Sequence, residues 1–147
     1  MHRAMTSFAA AMIATACWCV SASGQAQQQT KSTWDGVYTA EQAQRGQQVL
    51  NSQCIMCHAE NLQGGPGVPG IAGPAFMFHW NGKTIRELFE FIRTTMPPGQ
   101  AGNLGDGTYA DVIAAILQAN QFPAGQSVEL PASAEALQGI TIKREKP

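Results

Sequence analysis

Residues 54–58 read Cys54-Ile55-Met56-Cys57-His58, and what can be built from this chain turns on them. Two cysteines separated by two residues, with a histidine directly after the second, admit four chemistries. A thioredoxin-type redox pair also uses Cys-x-x-Cys, but it needs a strand–helix setting in a βαβ chain, and none is legible here. A zinc site would need a fourth ligand beyond Cys54, Cys57 and His58; His79 is the free candidate, and no second cysteine pair follows. A plain disulfide would leave the adjacent histidine without a role. The pentapeptide itself is Cys-x-x-Cys-His, the attachment pattern of a c-type haem, and this reading is preferred. Cysteines at this spacing reach two vinyl-derived carbons on one edge of a porphyrin and form thioethers, and the next residue, His58, then comes under the iron as a ligand.

Composition sets the frame around the pentapeptide. A length of 147 residues suits one ordinary domain. The net charge of -1 supplies no basic field, which argues against nucleic acid as a partner. No apolar run reaches the ~18 residues that would predict a transmembrane span. At the start, Arg3, the apolar run Phe8 to Val20 and the small residues Ser21-Ala22-Ser23-Gly24 predict a signal peptide over 1–24 and export to the periplasm. Cys17 and Cys19 would leave with it; lipid anchoring through Cys17 is the minor alternative. Covalent attachment suits an exported protein, because the cofactor cannot diffuse away. The polar stretch 25–33 predicts a flexible tether. Residues 125–147 predict an extended tail, with Val128, Leu130, Leu137, Ile140 and Ile142 packing along the domain as a strap.

Between these ends, residues 34–124 carry the helical pattern. Thr39-Ala40-Glu41-Gln42 and Thr84-Ile85-Arg86-Glu87 both have the form of a capping box. The first opens a helix to about Ser52, ending before Cys54. The second opens one whose apolar stripe is Ile85, Leu88, Phe89 and Ile92, stopped by Pro97 and Pro98. Thr108 is the predicted cap of a third helix, with the stripe Tyr109, Val112, Ile113, Ile116 and Leu117. Gly46 weakens the first helix by ~1 kcal/mol against Ala, a cost that a close crossing with the third helix would explain. Residues 61–74, NLQGGPGVPGIAGP, form a long Gly/Pro-rich loop that should wrap around something. Its Gly65 to Gly70 portion matches Gly-x-Gly-x-x-Gly, but two prolines inside it and no helix at once behind it exclude a dinucleotide site. The stripes imply a thin core, which suggests that a large non-protein group fills the centre.

The iron needs a sixth ligand or an open position. Met96, 38 positions after His58 in Thr95-Met96-Pro97-Pro98, is the best candidate, since the prolines turn and stiffen its loop. A thioether ligand favours the reduced iron and raises the potential. Met77, between Phe76 and Phe78, reads as core filler, and Met56 cannot swing to the far side. His79 offers a bis-histidine alternative. Pro74 is either the acceptor, through its carbonyl, for the second ring N–H of His58, or a simple turn proline. Trp80 either donates its indole N–H to a haem propionate or is a buried aromatic with a wet edge.

With these residues placed, the chain resembles the class I c-type cytochromes over residues 39–123: a helix, the attachment motif, Gly73-Pro74, a middle helix, Met96-Pro97 and a closing helix with Tyr109. The resemblance implies a small all-α fold of three or four short helices and the Gly/Pro-rich loop around one haem c, with the first and last helices crossing near Gly46. It implies thioethers at Cys54 and Cys57 and axial ligation by His58 and Met96. More narrowly, Trp34-Asp35-Gly36-Val37-Tyr38-Thr39 and Asn120-Gln121-Phe122-Pro123-Ala124-Gly125 look like haem subunits or domains associated with bacterial quinoprotein dehydrogenases. The function implied is one-electron transfer, not catalysis, between redox partner proteins: possibilities are a quinoprotein dehydrogenase and a terminal oxidase or other cytochrome. The alternatives are a subunit bound permanently to such a dehydrogenase, a haem enzyme or sensor with a displaceable Met96, and a disulfide domain without cofactor.

Overall fold

The computed structural model describes residues 30–146. The expected signal peptide, Cys17, Cys19 and most of the expected tether lie outside that range. In chain order the elements are strand β1 (Lys31–Ser32), helix α1 (Ala40–Val49), a π-helical turn (Leu50–Cys54), α2 (Ile55–His58), α3 (Gly73–Trp80), α4 (Ile85–Thr95), α5 (Asp106–Ala119), α6 (Ala134–Leu137) and strand β2 (Ile140–Thr141).

The α1–α5 pair is the frame. Gly46 lies so close to α5 that a Cβ there would overlap the backbone carbonyl of Asp111. The glycine therefore makes a helix crossing at backbone contact, as its position mid-helix suggested. Ala43 and Leu50 on one side and Ala110, Ile113, Ala114 and Leu117 on the other are buried around it. Arg45 reaches from α1 to Asp111 and Glu129, both at 2.9 Å. These exposed pairs contribute little stability beyond fixing register.

The first helix does not stop before Cys54. It widens into the π turn, where the amide of Ile55 bonds the carbonyl of Leu50, and runs on to His58. Such a turn holds an extra residue in the ladder and re-aims the side chains that follow, which is why π turns recur at functional sites. Capping differs from expectation at two places. Thr39 accepts from the Gln42 amide, but the Gln42 side chain does not reach back. It is buried and clamps the tail instead, donating to the Leu130 carbonyl at 3.0 Å and accepting from the Leu130 amide at 2.8 Å. Helix α5 begins at Asp106 behind Gly105, whose φ of 82° opens the turn, so Thr108 lies inside the helix and does not cap it. The Thr84–Glu87 box is complete.

The chain ends and the loop also differ from expectation. Lys31–Ser32 is no tether: it pairs in parallel with Ile140–Thr141. The tail holds a short helix and that strand, with Leu130, Leu137, Ile140 and Ile142 buried as a strap, while Val128 is exposed. The lead-in and exit segments meet: Trp34 packs edge-on to Phe122 at 5.0 Å, and the Tyr38 hydroxyl donates to the Phe122 carbonyl at 2.6 Å. Helix α3 follows the loop directly, with Pro74 in its first turn, where a missing N–H costs nothing.

Replacing Gly46 with Ala is expected to force α1 and α5 apart and lower stability by about 2–3 kcal/mol. The urea midpoint of the haem-loaded protein measures this; an unchanged midpoint would mean the crossing is not tight.

Candidate functional site: a haem pocket

The helices enclose a cavity of about 490 Å³, within the range of small-molecule and cofactor sites. Its walls come from the end of α1 through α5 and from the loop between α2 and α3. Leu50, Cys54, Cys57 and His58 line it from α1, the π turn and α2; Gly67 to Ile71 from the loop; Phe76, His79 and Trp80 from α3; Leu88, Phe91 and Ile92 from α4; Met96, Pro97 and Pro98 behind α4; and Tyr109, Val112 and Ile116 from α5. The lining is overwhelmingly apolar, with sulfur and imidazole donors brought to it from separate elements.

His58 is nearly buried, at 8% exposure. Its Nδ1 lies 2.9 Å from the carbonyl oxygen of Pro69. A carbonyl only accepts, so Nδ1 carries the proton and Nε2 keeps its lone pair for a metal. The acceptor is thus Pro69, eleven residues on, and not Pro74. Pro74 is committed to the start of α3, on the far side of the loop's return, and does not line the cavity. The loop can bring Pro69 to the histidine because it folds back on itself. Gly65 and Val68 exchange backbone bonds, and the Leu62 carbonyl accepts from Ile71 at 2.8 Å and Ala72 at 3.1 Å. Gly64, at φ 75°, passes so near the Val68 carbonyl that a Cβ would clash. Asn120, at the end of α5, closes the loop: its amide donates to the Ile71 carbonyl at 3.1 Å and its Oδ1 accepts from the Gly73 amide at 2.9 Å.

Both cysteines are free thiols, Cys54 half-buried and Cys57 exposed. Burial, and then the neighbouring Cys57, push the Cys54 thiol up. Met56, between them, is 93% exposed and points away from the pocket. Met96 ends α4 and borders the same cavity as His58. Its backbone is held by Tyr109, whose hydroxyl donates to the Met96 carbonyl at 3.0 Å and accepts from the Gly102 amide at 2.9 Å. Tyr109 was legible as a core residue of α5; this second task was not. Trp80 lines the pocket, its ring edge-on to Phe91 at 5.5 Å. His79 also borders the cavity but is exposed, and Met77 is packed against the core.

The donor set fits a haem: two thiols and an imidazole within five residues, a thioether from another element, and apolar walls between. Residues 41–114, half of the chain, match the family described as cytochrome c oxidase, cbb3-type, subunit III. The chain belongs to this family. It is a class I c-type cytochrome with a small all-α fold, and the domain indicates covalently bound haem c and haem-based electron transfer. The sequence holds one Cys-x-x-Cys-His motif. The match runs from α1 into α5 and so spans both cysteines, His58 and Met96. Comparison with curated proteins and with solved structures finds no match.

Tyr109→Phe removes the hydroxyl that ties the Met96 loop to α5. The Gly102 amide is expected to exchange with solvent about fivefold faster, from the ~1 kcal/mol such a bond contributes. Unchanged exchange would show that the loop is held by other contacts.

Proposed function

We propose that this cytochrome is a periplasmic one-electron carrier, its haem c held by Cys54 and Cys57 and ligated axially by His58 and Met96. The observation that carries the reading is that His58 and Met96, from different elements, border one apolar cavity together with both cysteines. Bound haem supplies an iron that cycles between ferric and ferrous forms. The chain's own residues do the rest. Pro69 fixes the His58 tautomer and raises its basicity as a ligand. Tyr109 holds the Met96 backbone, so the thioether is presented without a search. Leu88, Ile92, Val112 and Ile116 exclude water from the interior. With both axial positions taken, small oxidants have no place to bind, which favours outer-sphere transfer over catalysis. Cys57 is exposed, so the sulfur-linked side of the site lies at the surface, where a partner can dock briefly.

Export is supported by the Arg3 to Gly24 pattern and by the covalent mode of attachment. No helix among the described residues is long and apolar enough to cross a membrane. The family match favours a respiratory redox partner such as a terminal oxidase. The Trp34–Thr39 and Asn120–Gly125 segments keep a quinoprotein dehydrogenase as the candidate donor. The oxidase-subunit family also favours a second reading, permanent association with such a complex; copurification at a fixed stoichiometry distinguishes it from a free shuttle.

Ferric protein should show the far-red charge-transfer band of Met–iron ligation. Met96→Ala should keep the haem attached, lose that band, lower the potential and bind added cyanide or imidazole readily. Unchanged potential and ligand binding would remove Met96 from the coordination sphere.

A further inference from the structure

Lys83 is the only Lys, Arg, Asp or Glu among the residues lining the cavity. It sits in the turn between α3 and α4, with Nζ 4.9 Å from the centre of the Trp80 ring. Among the described residues no salt bridge claims it. The nearby carboxylate of Glu87 is turned to the capping box, one oxygen accepting from the Thr84 amide at 2.7 Å and the Thr84 hydroxyl at 2.9 Å, and makes no ion pair with Lys83. A lone cation in an apolar lining, beside an indole, marks the wall where a ligand's anionic groups would lie.

The turn is held firmly. The Lys83 amide donates to the Trp80 carbonyl at 3.1 Å, and the Lys83 carbonyl accepts from the Ile142 amide at 2.8 Å. The Gly82 amide donates to the Ile142 carbonyl at 2.8 Å. Asn81 accepts from the Arg144 amide at 2.7 Å, and the Trp34 indole bonds the Lys143 carbonyl at 2.9 Å. Ile142 itself is fully buried. The C-terminal strap, beyond the segment that the family match covers, thus fastens the one piece of cavity wall that carries a charge.

We propose that Lys83 is a haem-binding residue, its ammonium pairing with the propionate carboxylates on the Trp80 side of the pocket. The inference rests on the haem site described above. A carboxylate near the iron stabilises the more positive ferric form, and a cation beside it offsets that effect and raises the potential. Because Lys83 is exposed at the cavity mouth, salt should screen its contribution.

The test is the midpoint potential of full-length, haem-loaded Lys83→Gln and Lys83→Arg variants at low and high ionic strength. Lys83→Gln is expected to lower the potential at low salt, with the gap from wild type narrowing as salt rises, while Lys83→Arg stays near wild type. A wild-type potential in Lys83→Gln, or an equally low one in Lys83→Arg, would overturn the assignment. Haem mass and the far-red band, recorded on the same samples, separate the two levels. If wild type lacks them, the haem-ligation reading fails; if wild type has them and the potentials do not move, Lys83 alone is wrong.

Discussion

The backbone contact between α1 and α5 at Gly46 is the constraint on which the other positions depend. It brings two helices closer than any side chain at that point would allow. From there α1 continues through the π turn into Cys54–His58, so the attachment segment is aimed by the crossing. On α5, the same crossing directs Val112 and Ile116 into the pocket and Tyr109 toward Met96. Two donors from opposite halves of the chain thereby share one cavity.

A second constraint is how the loop satisfies its own polar groups. Residues 67–71 of the loop border an apolar cavity, yet the loop's carbonyls and amides need partners. They find them in one another, in Asn120 and in His58. The imidazole tautomer is therefore a by-product of loop closure: the Pro69 carbonyl is available because the Gly65–Val68 turn points it inward. A polar network of this kind fixes a ligand's orientation more securely than packing alone.

Much of this was legible in the sequence because it is local. Cys-x-x-Cys-His carries its chemistry in five residues, Thr84–Glu87 forms a cap in four, and a glycine amid an amphipathic pattern signals a close approach. What escaped was what depends on the path of the chain. Pro69 and Pro74 are indistinguishable as acceptors until the loop's return is known. Gln42 has the sequence of a capping-box residue, but burial against Leu130 offers it two bonds instead of one. Helix α3 was missed inside a Gly/Pro-rich stretch, although proline in a first turn is a start signal that was there to be used. Lys83 follows a glycine in an ordinary-looking turn; only the fold places it on the pocket wall. Thr108 lost its cap role because Gly105 supplies a backbone turn that no threonine at 108 could.

The account stands or falls on covalent attachment of one haem at Cys54 and Cys57. The most direct measurement is the intact mass of the chain made in a host able to mature c-type cytochromes, alongside Cys54→Ala and Cys57→Ala. Wild type is expected to carry the mass of one haem that survives denaturation, and each variant to lose full attachment. A wild-type chain of unmodified mass, or a normal yield of haem-bearing chain in either variant, would contradict it.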